Sequence, residues 1–101
     1  MAIPKRFYEL SPKADRDLED IFEYTEREFG FDQAIIYVSG FETLFETILT
    51  NPKLGKERPE IRKELRSLVH EKHVAFYRIL NNRIRIVRIL HGNCDVRQFL
   101  P

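Results

Sequence analysis

LRSLVHEKHVAFYRILNNRIRIVRIL, residues 65 to 90, is the stretch on which the fold turns. Its β-branched and aromatic residues fall into three segments with a period of two, residues 65–69, 74–80 and 84–90. Glu71-Lys72 separates the first two, and Asn81-Asn82 has the length and composition of a two-residue hairpin loop between the last two. The segments therefore predict three antiparallel strands in a meander. The turns also set a register. It places Val69 opposite Val74 and Ser67 opposite Phe76, then Phe76 opposite Val87, Val74 opposite Ile89 and Arg78 opposite Arg85.

In that register one face collects Leu65, Ser67, Val69, Val74, Phe76, Val87 and Ile89, and this is the face expected against the rest of the protein. The other collects Arg66, Leu68, His70, His73, Ala75, Tyr77, Ile84, Ile86, Arg88 and Leu90. There Arg66 lies across from Tyr77 and Arg88 opposite Ala75, so that two guanidiniums and a phenol converge on a patch suited to an anion. The same arginines could equally lie over an apolar sheet and keep its edge soluble.

Upstream the period lengthens. Residues 5–10, KRFYEL, read as a short strand, and Ser11-Pro12 reads as a helix cap followed by proline at the first helical position. From Ala14 the stripe runs Leu18, Ile21, Thr25 and Phe29 among acidic residues, and Gly30 ends it. Asp32 is expected to cap a second helix with the stripe Ile35, Val38, Phe41, Phe45 and Ile48, widened by Ile36 and Leu49, until Asn51-Pro52 stops it. A connection of about two residues makes the pair an antiparallel hairpin. Residues 51–59, NPKLGKERP, read as a loop. The predicted class is α+β, in the order β-α-α-β-β-β, with a helical hairpin packed on an antiparallel sheet.

The chain of 101 residues is the size of one domain, 1–101, and its 43% hydrophobic and 33% charged residues exclude both a disordered tail and a membrane span. One cysteine, Cys94, has no internal partner, and the opening MAIPKRFYEL lacks the apolar run of a secretory signal, so a cytoplasmic protein is expected. The net charge of +1 hides two halves: residues 1–60 carry 8 basic and 13 acidic side chains, residues 61–101 carry 9 and 3. A basic half predicts a partner with negative charge.

His70, His73, His91 and Cys94 invite a zinc site, but His91 falls on the face opposite to His70 and His73 in the register above, and no metal is expected. His91 and Cys94, three residues apart near the end, offer nothing to activate a thiolate. No glycine-rich phosphate loop is present, and no cofactor is expected. The acids of the first helix read as a solvated face, since pairs such as Asp15 and Glu19 repel.

Leu10-Ser11-Pro12-Lys13-Ala14-Asp15-Arg16-Asp17-Leu18-Glu19-Asp20-Ile21, Asn51-Pro52-Lys53-Leu54-Gly55, Leu65-Arg66-Ser67-Leu68, His73-Val74-Ala75-Phe76-Tyr77-Arg78 and Val87-Arg88-Ile89-Leu90-His91-Gly92, in that order and spacing, resemble the ParE toxins of the RelE/ParE superfamily over nearly the whole chain. The resemblance implies the toxin of a type II toxin–antitoxin system, neutralised in a hetero-oligomer by a ParD-like antitoxin whose C-terminal segment wraps it. It also implies inhibition of DNA gyrase with no chemistry of its own, hence no catalytic residue and no membrane partner. The alternative within the superfamily is ribosome-dependent mRNA cleavage of the RelE type. That chemistry needs a base, an acid and cations for the phosphate. Arg66 and Arg88 supply cations, but the tail after His91 holds no tyrosine or lysine, and Leu-His-Gly looks like ParE. Charge and position single out Arg66, Arg88, His91 and Arg97 as target-binding residues.

Overall fold

The Ser11-Pro12 cap ties helix to sheet as well as starting the helix. In the computed structural model, which describes residues 7–100, the Ser11 hydroxyl accepts the Ala14 amide at 3.0 Å and donates to the Val87 carbonyl at 2.7 Å. Pro12 opens α1 (Pro12–Phe29), where its missing amide costs nothing. Gly30, at φ +95°, is the sole residue between α1 and α2 (Phe31–Thr50): its amide donates to Glu26 and its carbonyl accepts from Ala34. Glycine suits that left-handed conformation. Asp32 is therefore not the cap. It lies inside the first turn of α2, where a carboxylate still favours the helix dipole.

The core sides of the two helices follow the predicted stripes in their middles and depart at their shared end. Ala14, Ile21, Thr25, Phe41, Phe45 and Ile48 are buried, whereas Phe29, Ile35 and Ile36 are exposed and Ala34 takes the buried place instead. The end of the hairpin near Gly30 thus runs past the sheet with its apolar residues uncovered.

The sheet is β1 (Phe7–Leu10), β2 (Lys56–Glu57), β3 (Arg66–His70), β4 (His73–Ile79) and β5 (Arg83–His91), in the order β1-β5-β4-β3-β2. Of the strand expected over residues 5–10, Lys5 and Arg6 lie outside the described residues. β1 pairs parallel with β5, so the sheet is mostly rather than wholly antiparallel. The NPKLGKERP loop is more ordered than its composition suggests, with a 3-10 turn over Pro52–Leu54 followed by β2 on the edge of β3.

Between β3 and β4 the register is as predicted, including Arg66 opposite Tyr77. Between β4 and β5 it holds only near the Asn81-Asn82 turn, where Arg78 faces Arg85. A β-bulge then shifts it, so that Phe76 faces Arg88 and Val74 faces Leu90, not Val87 and Ile89. Val87 is the extra residue.

Up to and including Val87, the faces are the reverse of the expectation. Ala75, Tyr77, Ile84, Ile86 and Ile89 are buried against the helices, while Leu65, Phe76, Leu90 and Leu100 form a second cluster with Val74, Val87, Cys94 and Val96. Val69 is exposed. The reason is physical: the C-terminal tail supplies a second layer over part of the helix-free face, so both faces bury apolar side chains and hydrophobicity alone does not say which one receives the helices. Beyond Val87 the bulge undoes the reversal, so that Ile89 lies on the helix side and Leu90 on the other, each on the face expected for it.

Candidate functional site

The bulge also turns the histidines. Downstream of Val87 the shifted register sets His73 directly opposite His91, with ring centroids 5.3 Å apart, and His70 faces His73 across the β3–β4 turn. The three imidazoles, expected on two faces, are neighbours on the helix side. His70 packs edge-on against Phe41, centroids 4.5 Å apart, and a Cβ at Gly40 would collide with its Cε1 and Nε2. Glycine is what lets α2 approach so closely. The Tyr37 hydroxyl and His73 Nδ1 share a hydrogen bond of 2.7 Å. Burial, then the neighbouring His91 and His70, bring the His73 pKa down to about 4 against the opposing pull of Asp17, so this imidazole is neutral at physiological pH. Burial likewise raises the Tyr37 phenol.

These side chains form one wall of an open groove of about 930 Å³. Ile21, Tyr24, Phe29 and Ile36 from the hairpin form the other, with Tyr24, Phe29 and Ile36 each more than half exposed at 55%, 68% and 64%. Three exposed apolar side chains along one groove make a surface of the kind that another molecule can cover. Among the described residues no group of three or more His, Cys, Asp or Glu side chains is placed to hold a metal ion. Cys94 packs in the other cluster, its amide bonded to the His91 carbonyl at 3.1 Å.

The two arginines expected to converge on an anion do not meet. Arg66 and Tyr77 are neighbours, but they hold the 52–57 segment. Arg66 Nη1 donates to the Gly55 carbonyl at 2.8 Å and the Lys53 carbonyl at 3.3 Å, and Nη2 reaches Glu57 at 3.3 Å. The Tyr77 hydroxyl donates to the Pro52 carbonyl at 2.7 Å and accepts the Gly55 amide at 2.8 Å, while burial raises its pKa. Arg88, paired with Phe76 rather than Ala75, is bound by Asp17 of α1: Nε to Oδ2 at 2.8 Å and Nη2 to Oδ1 at 2.9 Å. Asp17 Oδ2 also accepts the Ile89 amide at 2.9 Å, on the stretch of β5 that β1 leaves unpaired. This bidentate pair raises the Arg88 pKa further, and its two side chains are only 13% and 12% exposed. Asp17 is thus no part of a solvated acidic face.

Of the four target-binding candidates, His91 and Arg97 are exposed. His91 Nδ1 accepts the Asn93 amide at 3.1 Å, and the Arg97 guanidinium has no partner among the described residues. Sequence reasoning missed Tyr37, off the predicted stripe of α2, and Asp17, one acid among many. Only the spacing of Asp17 three residues beyond the buried Ala14 hinted at a side chain facing the sheet edge.

Residues 8–96 match the family described as the ParE toxin of type II toxin-antitoxin system, parDE. The chain belongs to the ParE toxin family. It is 34% identical over 93 residues to Toxin ParE1 of Caulobacter vibrioides, covering 92% of this chain and 96% of that one. Toxin ParE1 of Mycobacterium tuberculosis is 37% identical over 90 residues, with 88% and 92% covered. A solved chain from the chromosomal ParDE TA system of P. aeruginosa superposes with a TM-score of 0.75 over 87% of this chain and 96% of that chain, at 22% identity, and so shares the fold. As a ParE toxin, the chain is the toxic member of a type II pair. No helix among the described residues is long and apolar enough to cross a membrane.

Proposed function

We propose that this ParE toxin inhibits DNA gyrase and thereby blocks replication, and that a ParD-like antitoxin neutralises it in a cytoplasmic hetero-oligomer. The observation that carries the choice of target over mRNA cleavage is the engagement of both sheet arginines. Arg66 is spent on backbone carbonyls and Arg88 on a bidentate carboxylate, so neither is poised to hold a scissile phosphate. His73, neutral and bonded to Tyr37, carries no charge to offer a phosphate. Of the four candidates, this leaves His91 and Arg97, both exposed, for the target. Arg66 and Arg88 serve the interface by fixing the loop and the tail, through Gly55 and the Phe99 ring that Arg88 overlies at 5.3 Å.

The antitoxin reading is supported by the groove. Tyr24, Phe29 and Ile36 expose apolar surface that a helix or extended segment of a partner would bury. Purified toxin, freed of antitoxin, is to be incubated with gyrase, ATP and relaxed plasmid, then treated with detergent and protease. Linear plasmid or lost supercoiling is the expected result. Unchanged supercoiling at concentrations that arrest growth overturns the gyrase reading and turns attention to ribosome-dependent mRNA cleavage.

A further inference from the structure

The helix-free face of the sheet is covered only in part. The second cluster covers Leu65, Phe76 and Leu90, but nearer the Asn81-Asn82 turn the same face carries Arg78, Arg83 and Arg85, since Tyr77, Ile79, Ile84 and Ile86 between them point to the helices. Arg78 and Arg85 are directly opposed across β4 and β5. Like charges in that position destabilise a sheet, so the fold carries a cost here. Compensation is incomplete. Glu9 serves both Arg83, at 2.8 Å, and Arg85, at 2.9 Å, through one oxygen, and Glu64 reaches Arg78 only at 3.4 Å. Arg78 Nε is buried with no hydrogen-bond partner among the described residues. Three guanidiniums thus share two carboxylates.

Phe7 lies on this face too. It pairs with Arg83 along β1 and is 49% exposed, in contrast to Tyr8 and Leu10, which face the core. A flat strand surface presenting an uncovered aromatic ring beside under-neutralised guanidiniums combines a stacking platform with phosphate contacts. An acidic peptide would use the cations and leave Phe7 idle, and duplex DNA would offer no base face to it. We infer that this open half of the sheet, Phe7 with Arg78, Arg83 and Arg85, binds single-stranded polynucleotide, a base stacking on Phe7 and phosphates on the arginines.

Binding of this kind is independent of gyrase, and its test contains none. Fluorescence anisotropy of the purified full chain is measured with labelled oligothymidylate and oligouridylate, the matching duplex, and a poly-glutamate peptide over a series of salt concentrations. Single strands are expected to bind more tightly than duplex or peptide, and the stronger of the two identifies DNA or RNA as the source. Arg83→Gln with Arg85→Gln should weaken binding at least about tenfold and lower the salt slope by about 1.4, since each phosphate neutralised on a single strand contributes roughly 0.7. Phe7→Ala should weaken it about tenfold with the slope unchanged. Arg27→Gln, at the end of α1, should change nothing. Arg78→Gln provides an independent variant should the double one melt early. Absence of binding at low salt, equal or tighter binding of duplex or poly-glutamate, or affinities unmoved in folded variants overturns the inference.

Discussion

The Tyr77 hydroxyl stands 2.5 Å from the point where a Cβ on Gly55 would lie, and it accepts the Gly55 amide at 2.8 Å. Gly55 has an ordinary extended φ of −69°, so glycine is required there by the approach of the phenol and not by backbone conformation. The NPKLG segment is thus bolted to the middle of β4.

Removing the bolt has a definite cost. Tyr77→Phe leaves the buried Gly55 amide and the Pro52 carbonyl without a partner, a loss of about 1–3 kcal/mol. Chemical denaturation should show it as a lower midpoint with unchanged slope. Gly55→Ala should cost more, because the ring itself must move. Equal stability of wild type and Tyr77→Phe would mean that the phenol does not hold the loop.

Asp17 makes a second, independent anchor. Asp17→Ala strips Arg88 of its bidentate partner and the Ile89 amide of its acceptor in a nearly closed site, and breaking such a pair costs roughly 3–5 kcal/mol. Asp17→Asn retains an acceptor for Ile89 and should lose clearly less. If the two variants unfold at one midpoint, the amide contact adds nothing to the ion pair.

Both anchors show what the sequence displays and what it conceals. The start and end of the first helix, the strand segments, both tight turns and the β3–β4 register are local chemistry, and Ser11-Pro12, Gly30 and Asn81-Asn82 announce them. The bulge at Val87 has no local signal. It arises where the Val87 carbonyl accepts the Ser11 hydroxyl, a contact between residues 76 apart, and it alone brings His91 to His73 and removes Arg88 from Ala75. The choice of face was hidden for a different reason. Leu65, Phe76 and Leu90 are as apolar as Ile84 and Ile86, and a sheet buried on both sides has no alternation that names the helix side. The parallel pairing of β1 is likewise non-local.

His73 gives the stability a pH dependence of known sign. Its pKa is about 4 in the folded protein and near 6.5 unfolded, so between these values the unfolded chain binds more protons and stability falls as pH falls. The contribution is fully present above pH 6.5 and fully lost below pH 4. Discounted for its partial exposure, it is on the order of 1 kcal/mol, or about 4–8 °C in Tm. Melting curves of wild type and His73→Gln between these pH values should diverge in slope, with the variant the flatter. Parallel curves would place the titration elsewhere.

His91 and Arg97 carry the prediction that ties geometry to activity. Both side chains are exposed, and neither anchors the core: His91 accepts one local amide and Arg97 has no side-chain partner among the described residues. Exposed positions of this kind tolerate substitution within about 0.5 kcal/mol. His91→Ala and Arg97→Ala should therefore melt like wild type while losing gyrase inhibition about tenfold each, the loss expected for an interface contact worth about 1.4 kcal/mol. Arg66→Ala should behave in the opposite way. Its guanidinium holds the Gly55 and Lys53 carbonyls, so its Tm drops along with its activity, and the proposed ParD-like antitoxin, added in excess, should raise that Tm again. Full inhibition by the His91 and Arg97 variants together would remove the C-terminal end from the target interface and leave the helical groove as the surface to test next.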